Sequence, residues 1–335
     1  QALGSVSEDD KRRECIQCPC FRCEGVFWMD KAVKGGSPTS DDIAMLSAII
    51  NVAGLIIENF RISEGLERAN TELQSTNEQL KVVNHDLLIA QSKINADLDR
   101  AHKIQLGLLP QDLTGIRDFS LGAHYIPATA VGGDYYDVFQ VGPNLYGVVV
   151  ADVSGHGISS ALIMSMVKVL LKSFAGKNIS PKDTLERINK TFLTEIKSDN
   201  FVTIFYALVD TSAHTLAHTS AGHCPILLLN KETRECRQIK ADGLFLGVFD
   251  DMMLEDSTSG YAPKKTRAVL YTDGLIEGRN ANEEMYDVGR LEKAALRTLS
   301  SEPQEAIDAI IEEHREFCGK DKEPEDDITL LVIDL

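Results

Sequence analysis

Residues 148–157 read Val148-Val149-Val150-Ala151-Asp152-Val153-Ser154-Gly155-His156-Gly157, an apolar run that ends in an aspartate and a glycine-rich turn. The apolar run begins at Leu145, as expected for a strand that is covered on both faces. A carboxylate at the end of such a strand is held rigidly and faces outward. We therefore expect Asp152 to lie where it can contact a bound cation.

Other acidic residues occupy similar positions in the sequence. Asp273 follows an apolar run, Asp326 and Asp327 precede another, and Asp134 follows Gly132-Gly133. Singly, each could merely end a strand, because Asp and Gly are common turn residues. Together they indicate a divalent cation site, because clustered carboxylates need neutralisation and Mg²⁺ and Mn²⁺ prefer oxygen ligands. The pattern predicts a metal-dependent enzyme.

Length and composition exclude several classes of protein. A chain of 335 residues suits two or three units, and 34 Lys+Arg against 51 Asp+Glu give a net charge of -17, which disfavours nucleic-acid binding. The apolar stretch 43–57 is interrupted by Ser47 and Asn51 and falls short of the roughly 20 residues of a membrane span. We predict a buried helix there, no membrane association, and a cytoplasmic location because no signal peptide is recognisable.

Four cysteines stand close together near the amino terminus, at positions Cys15, Cys18, Cys20 and Cys23. This density is typical of metal or redox sites, although only Pro19 separates the two Cys-x2-Cys pairs, which is tight for one zinc ion. A zinc site, an iron–sulfur cluster, a redox-sensitive loop and reduced surface thiols all remain compatible with the spacing.

The first sixty residues combine a strand at 25–30 with a helix that Ser40-Asp41-Asp42 could cap. This order resembles the carboxy-terminal end of a GAF sensory domain, so residues 1–60 are interpreted as a partial GAF-like segment. Residues 61–110 then show a heptad repeat. Its apolar positions include Leu66, Leu73, Leu80, Leu87, Ile94, Ala101 and Leu108. A stripe this narrow favours a parallel dimeric coiled coil, which the polar seam residues Thr76 and Asp97 weaken locally.

Pro110 ends the coiled-coil helix, and strands alternate with helices to the end of the chain. Helices are predicted at 158–174, from Ser180-Pro181, and at 303–317. Strands are predicted at 145–151, 201–209, 226–229, 268–272 and 328–333.

The segment 111–335 resembles the bacterial PP2C-like serine phosphatases of the SpoIIE and RsbU type. The motifs that carry the resemblance are Gly132-Gly133-Asp134-Tyr135-Tyr136-Asp137, Ala151-Asp152-Val153-Ser154-Gly155-His156-Gly157, Phe201-Val202-Thr203-Ile204-Phe205-Tyr206, Ser220-Ala221-Gly222-His223, Tyr271-Thr272-Asp273-Gly274 and Asp326-Asp327-Ile328-Thr329. The resemblance implies an α/β (α+β) fold, an αββα sandwich of two antiparallel β-sheets flanked by helices. It also implies phosphoserine or phosphothreonine hydrolysis on STAS-domain proteins that regulate anti-sigma factors.

The same resemblance implies a site for two Mn²⁺ or Mg²⁺ ions. Asp152 is expected to bridge the ions, with the Val153 backbone carbonyl as an adjacent ligand. Asp134 is expected to bind one ion, and Asp273 and Asp326 the other, while Asp327 is a supporting residue or an alternative ligand. No protein nucleophile is needed, because water bound by two ions can attack phosphorus.

Two residues in these motifs have open roles. His156 could protonate the leaving group or be a polar turn residue, and Asp137 is interpreted as structural. The segment 101–110 resembles the element that precedes the catalytic domain in sensor-linked relatives. We expect movement of the coiled coil around Asp97 to reach the metal centre through it.

Two rival functions remain open from the sequence. Gly132-Gly133-Asp134 resembles the turn of diguanylate cyclases, but Tyr135-Tyr136 replaces Glu-Phe and the match stops there. The second rival is a dimeric scaffold without catalysis, which would not require four uncompensated acids at one edge.

Overall fold

The computed structural model describes residues 13–17, 26–30, 39–110, 116, 118–240, 243–320 and 322–335. The chain divides into two compact units, Gln1–Ser92 and Lys93–Leu335. The first unit contains an antiparallel pair formed by β1 (Arg13–Gln17) and β2 (Val26–Asp30). The domain boundaries predicted at residues 60 and 110 and the GAF-like interpretation stay predictions. Cys18, Cys20 and Cys23 lie outside the described residues, as does the side chain of Cys15.

A single helix, α1 (Ser40–Leu108), runs through the whole segment predicted to form the coiled coil. Thr39 begins it, because its hydroxyl accepts a hydrogen bond from the Asp42 amide at 3.3 Å while Asp42 Oδ2 accepts from the Thr39 amide at 3.0 Å. The apolar heptad side chains from Leu66 to Ile94 are exposed, with Leu66 at 70% and Leu87 at 61%, whereas Ala101 and Leu108 are partly buried. An apolar stripe of this kind cannot be buried by its own helix.

The prediction of a buried helix at 43–57 is wrong for most of its apolar side chains. Ile50 is buried, but Ile49 and Ile56 are more than half exposed. The helix also contains an 18-residue window with a mean hydropathy of 1.8, so by length and composition alone it could cross a membrane. The predicted absence of a membrane span stays a prediction.

The second unit contains two five-stranded antiparallel sheets. The first sheet has the strand order β10-β7-β6-β5-β4, and its strands are β4 (Tyr135–Gly142), β5 (Leu145–Val153), β6 (Val202–Asp210), β7 (Thr215–Ala221) and β10 (Ser257–Gly260). The second sheet has the order β3-β12-β11-β8-β9, and its strands are β3 (Ser120–Ile126), β8 (Ile226–Asn230), β9 (Cys236–Ile239), β11 (Thr266–Tyr271) and β12 (Ile328–Asp334).

Helices cover the outer faces of both sheets. The first sheet packs against α2 (Ile158–Phe174) and α3 (Pro181–Thr191), which continues into a π-helical turn at Phe192–Ile196. The second sheet packs against α6 (Pro303–Cys318), beside α4 (Asp273–Ile276) and α5 (Asp287–Arg297). Side chains such as Val148, Phe205 and Leu331 form the core that includes the inner faces of the sheets. This confirms the predicted αββα sandwich.

Helix boundaries follow the local signals in the sequence. Ser180 caps α3 by accepting a hydrogen bond from the Asp183 amide at 3.0 Å, and Pro181 occupies its first turn, as predicted. The predicted helix at 158–174 is confirmed to the residue. The helix α5 and the strands β3, β4, β7, β9 and β10 were not predicted from the sequence.

Arg267 is the largest fully buried side chain, although it is charged. Its guanidinium donates to both carboxylate oxygens of Asp334, at 2.7 and 2.8 Å, and to the carbonyls of Thr298 and Ser301 at 2.7 and 2.6 Å. These bonds tie β11 and β12 to the turn that joins α5 and α6. They satisfy the buried charge, which makes removal of one partner costly.

We predict that Arg267→Leu lowers the free energy of unfolding by about 3 kcal/mol, because it leaves Asp334 Oδ1 and the Ser301 carbonyl without their guanidinium donor. Urea denaturation of the metal-free protein measures the change. Arg297→Leu is the matched control, because Arg297 pairs with Glu313 at an exposed site and should contribute less than about 1 kcal/mol. Equal effects of the two substitutions would contradict this account of Arg267.

Candidate functional site

The four predicted carboxylates lie at neighbouring ends of strands from both sheets. In the first sheet, Asp152 is near the end of β5 and Asp134 directly precedes β4, whose Tyr135 pairs with Ala151. In the second sheet, Asp273 lies two residues after β11 and Asp326 lies two residues before β12. The structure therefore brings together the aspartates that the sequence indicated.

Asp134 joins the two sheets through hydroxyl groups. Its Oδ2 accepts hydrogen bonds from Thr272 Oγ1 at 2.7 Å and from Thr329 Oγ1 at 2.6 Å. Its other oxygen, Oδ1, is buried and accepts no hydrogen bond from an N–H or O–H donor of the described residues. A buried carboxylate oxygen without a donor is costly, and a cation is one group that would satisfy it.

Asp327 holds the glycine turn in place. Its Oδ1 accepts from the Ala128 amide at 2.7 Å, and its Oδ2 accepts from the Gly133 amide at 2.5 Å. The turn needs glycine, because a Cβ at Gly132 would lie 2.3 Å from Asp327 Oδ2. These bonds occupy both carboxylate oxygens and favour the supporting role over the alternative role of metal ligand.

The Val153 carbonyl lies beside the same turn. A Cβ at Gly133 would be 2.7 Å from the Val153 oxygen, so the close approach of the two backbones requires glycine there. His156, by contrast, is exposed. Burial raises the pKa of Asp326, and His156 is among the groups that oppose this rise, which places the imidazole near that carboxylate.

Burial and mutual repulsion raise the pKa values of the clustered carboxylates. Burial, followed by the charges of Asp273 and Asp326, raises the pKa of Asp152 to about 8. Burial and the Asp152 charge raise the pKa of Asp134 well above its usual range, against the hydrogen bonds from Thr329 and Thr272. Burial also raises the pKa values of Asp273 and Asp326. The charged form of this cluster therefore needs a cation.

The donor set fits hard divalent cations, because it consists of carboxylate oxygens and a nearby backbone carbonyl. Within the ranges that the structure describes, no three or more His, Cys, Asp or Glu side chains are spaced as a ready-made metal site. The carboxylate side chains would therefore have to move to enclose an ion.

Asp137 has the structural role expected from the sequence. It is buried, and its Oδ2 forms ion pairs with Lys168 at 3.0 Å and Lys172 at 3.1 Å. Lys168 also donates a hydrogen bond to the carbonyl of Leu108, the last residue of α1. The end of α1 is therefore fixed to α2 and β4.

Gln105 connects α1 directly to the glycine turn. Its side-chain amide donates to the Gly132 carbonyl at 2.5 Å and accepts from the Gly132 amide at 3.1 Å, and the residue is buried. Gln105 belongs to the segment 101–110, but no role could be predicted for it from the sequence. A glutamine on a helix does not indicate which distant residue it will bind. Thr272 and Thr329 were likewise quoted in motifs without a role.

Cys224 does not have the properties of a nucleophile. Burial, followed by the Asp273 charge, raises the pKa of its thiol well above the usual range, and its Sγ donates to the Tyr271 carbonyl at 2.9 Å. The thiol is therefore neutral, which agrees with the expectation that no cysteine acts as the nucleophile.

The family model described as "Stage II sporulation protein E (SpoIIE)" matches residues 142–335, more than half of the chain. The chain belongs to the SpoIIE family. It is 29% identical to the phosphoserine phosphatase RsbU of Bacillus subtilis (strain 168) over 248 residues, which cover 72% of this chain and 71% of RsbU. It is 27% identical to the phosphoserine phosphatase RsbP of the same organism, covering 56% of this chain and 47% of RsbP.

Solved structures with the same fold include the SiaA-PP2C domain of Pseudomonas aeruginosa. That match has a TM-score of 0.66 and 22% identity, and covers 73% of this chain and 98% of the SiaA chain. The PP2C phosphatase domain of SpoIIE from Bacillus subtilis matches with a TM-score of 0.56 and 19% identity, covering 64% of this chain and 63% of that chain. At these identities the likeness shows the fold alone, and it confirms the PP2C-type sandwich of this SpoIIE-family member.

We predict that the metal-free protein becomes less stable as the pH rises from about 5 to about 8. A carboxylate whose pKa is raised in the folded state holds its proton there after the unfolded chain has released it. Its contribution to stability is therefore complete below the unfolded pKa and is lost as the pH rises through the folded pKa.

Melting temperatures in a chelator across this range measure the effect, and Asp152→Asn should flatten the profile. Saturating Mn²⁺ should reduce or reverse the slope. A metal-free profile that is the same in the wild type and in Asp152→Asn would contradict the repulsion described for this site.

Proposed function

We propose that this SpoIIE-family member is a metal-dependent protein serine/threonine phosphatase that binds two Mn²⁺ or Mg²⁺ ions. The observation that carries the proposal is the buried, unpartnered Asp134 Oδ1 beside three carboxylates with raised pKa values. The named activities of RsbU and RsbP support the reaction class.

The proposed ligands are those expected from the sequence. Asp152 and the Val153 carbonyl lie at the centre, with Asp134 on one side and Asp273 and Asp326 on the other. When bound, the two ions supply an activated hydrolytic water and neutralise phosphoryl charge. Thr272 and Thr329 orient Asp134 by donating to its Oδ2, which leaves Oδ1 free to bind.

His156 is proposed to donate a proton to the leaving serine or threonine oxygen. Its exposure leaves it accessible to a bound phosphoprotein, and its influence on Asp326 indicates that it lies near the site. Asp327 is proposed to support the Gly132-Gly133 turn by its hydrogen bonds and to bind no ion directly.

The proposed substrate is a phosphorylated STAS-domain protein, which follows from the family and from no single residue of this chain. Phosphate release from a panel of phosphorylated STAS-domain proteins of the same genome would test it. The cyclase alternative predicts a cyclic dinucleotide from GTP and Mg²⁺ and no phosphate release from these proteins. The scaffold alternative predicts binding without either product.

We also propose a homodimer through the α1 heptad stripe, whose leucines from Leu66 to Leu87 are exposed in the single chain. Movement of this coiled coil around Asp97 would change the packing of residues 101–110 and so the metal affinity. Asp97 is exposed and pairs with Arg100 at 2.7 Å, so it is not fixed to another element. The cytoplasmic location and a cofactor at the four amino-terminal cysteines stay predictions.

We predict that Asp152→Asn abolishes Mn²⁺-dependent phosphate release from p-nitrophenyl phosphate, with a loss of at least about a hundredfold, because the central carboxylate is removed. Asp137→Asn is a control that changes a buried carboxylate of the same strand pair outside the cluster. It should retain Mn²⁺ dependence even if it lowers stability. Equal rates for the wild type and Asp152→Asn would place catalysis elsewhere.

We predict that Gln105→Ala raises the Mn²⁺ concentration for half-maximal activity by about tenfold, because it leaves the buried amide and carbonyl of Gly132 without partners. Gln91→Ala is the matched control, because Gln91 is exposed on the same helix. An unchanged Mn²⁺ requirement in Gln105→Ala would break the proposed link from α1 to the metal centre.

A further inference from the structure

His223 joins the two sheets at the edge that carries the carboxylates, and the mechanism above does not use it. The residue follows β7 and is buried. Its Nδ1 lies 3.0 Å from Thr203 Oγ1 on β6 of the first sheet, and its Nε2 lies 3.0 Å from the carbonyl oxygen of Tyr271 on β11 of the second sheet. One imidazole ring therefore spans the gap between the sheets.

The chemistry of its partners fixes the direction of both hydrogen bonds. A carbonyl oxygen only accepts, so Nε2 carries the proton and donates to Tyr271. In the neutral ring Nδ1 is then an acceptor, and the Thr203 hydroxyl donates to it. The arrangement is polar at both ends, so it specifies the relative position of the two sheets more tightly than apolar packing does.

Both ends of this connection lie next to proposed metal ligands. Thr203 is the direct pairing partner of Asp152 between β6 and β5. Tyr271 ends β11 and stands two residues before Asp273, with Thr272 between them holding Asp134. The chain of bonds Thr203–His223–Tyr271 thus runs from β6, which pairs with the strand of Asp152, to the end of β11, which precedes Asp273.

We propose that His223 and Thr203 are positioning residues that set the separation of Asp152 and Asp273 and thereby the affinity of the site for divalent cations. The inference rests on the proposed metal-dependent function. Neither residue touches the substrate. Groups that orient metal ligands from behind typically change metal affinity by 10- to 100-fold when removed.

The experiment measures Mn²⁺ binding directly, by electron paramagnetic resonance of the free ion in the absence of substrate. Thr203→Val removes the hydroxyl with little change in shape, and we expect it to weaken Mn²⁺ binding by about tenfold. Thr203→Ser keeps the hydroxyl and should bind Mn²⁺ within about twofold of the wild type. In Thr203→Val, saturating Mn²⁺ should restore kcat and leave KM for the phosphorylated substrate unchanged.

His223→Leu removes both bonds and should weaken Mn²⁺ binding at least as much as Thr203→Val. The double variant should then be no weaker than His223→Leu alone, because the Thr203 hydroxyl has already lost its acceptor. Simple additivity of the two effects would contradict a single chain of bonds and overturn the inference.

Thr219→Val is the matched control. Thr219 lies on β7, is buried, and its hydroxyl has no hydrogen-bond partner among the residues that the structure describes. The same substitution there should leave Mn²⁺ binding within about twofold of the wild type, since no bond is lost. A tenfold loss in this control as well would assign the effect to general loosening of the sheet.

Two outcomes separate this inference from the proposed function. If the wild type binds Mn²⁺ and releases phosphate while Thr203→Val and His223→Leu bind Mn²⁺ equally well, the inference fails and the proposed function stands. The inference also fails, and the proposed function also stands, if the two variants lower the melting temperature of the metal-free protein without changing Mn²⁺ binding. If the wild type binds no Mn²⁺, the proposed function fails and the positioning role fails with it.

Discussion

The central constraint on this structure is the electrostatic repulsion between several carboxylates held at one edge of the sandwich. Burial and the charges of its neighbours raise the pKa of Asp152 to about 8, and Asp134 keeps one buried oxygen without a partner. Burial of a large apolar core stabilises the strands that carry these residues and so offsets the repulsion. A divalent cation would remove the repulsion. The stability of the fold and the proposed chemistry therefore both depend on neutralising the charge of this cluster.

Much of the fold could be predicted because its central elements are uniformly apolar or clearly capped. The helix α2 was predicted to the residue, and α3 followed from Ser180-Pro181. The strands β9 and β10 were missed because they are short edge strands of mostly polar residues, which give no apolar run. The segment 43–57 was wrongly predicted to be buried, because apolar composition alone does not reveal what, if anything, covers a helix.

The carboxylates could be predicted from the sequence because each stands at the boundary between an apolar run and a turn. Their supporting partners could not. Thr272, Thr329, His223 and Gln105 act through hydrogen bonds to residues 27 to 195 positions away, or to a different sheet, and no local pattern encodes such pairs. The role of Asp327 also needed the structure, because backbone amides occupy its two carboxylate oxygens.

The most direct test of this account is anomalous X-ray diffraction from crystals of the protein grown with Mn²⁺. The account predicts two Mn²⁺ peaks at the shared edge of the sheets, in contact with the carboxylates of Asp134, Asp152, Asp273 and Asp326. It also predicts that Asp327 stays on the amides of Ala128 and Gly133. Crystals that bind Mn²⁺ only elsewhere, or show no peak at this edge under saturating conditions, would contradict the account.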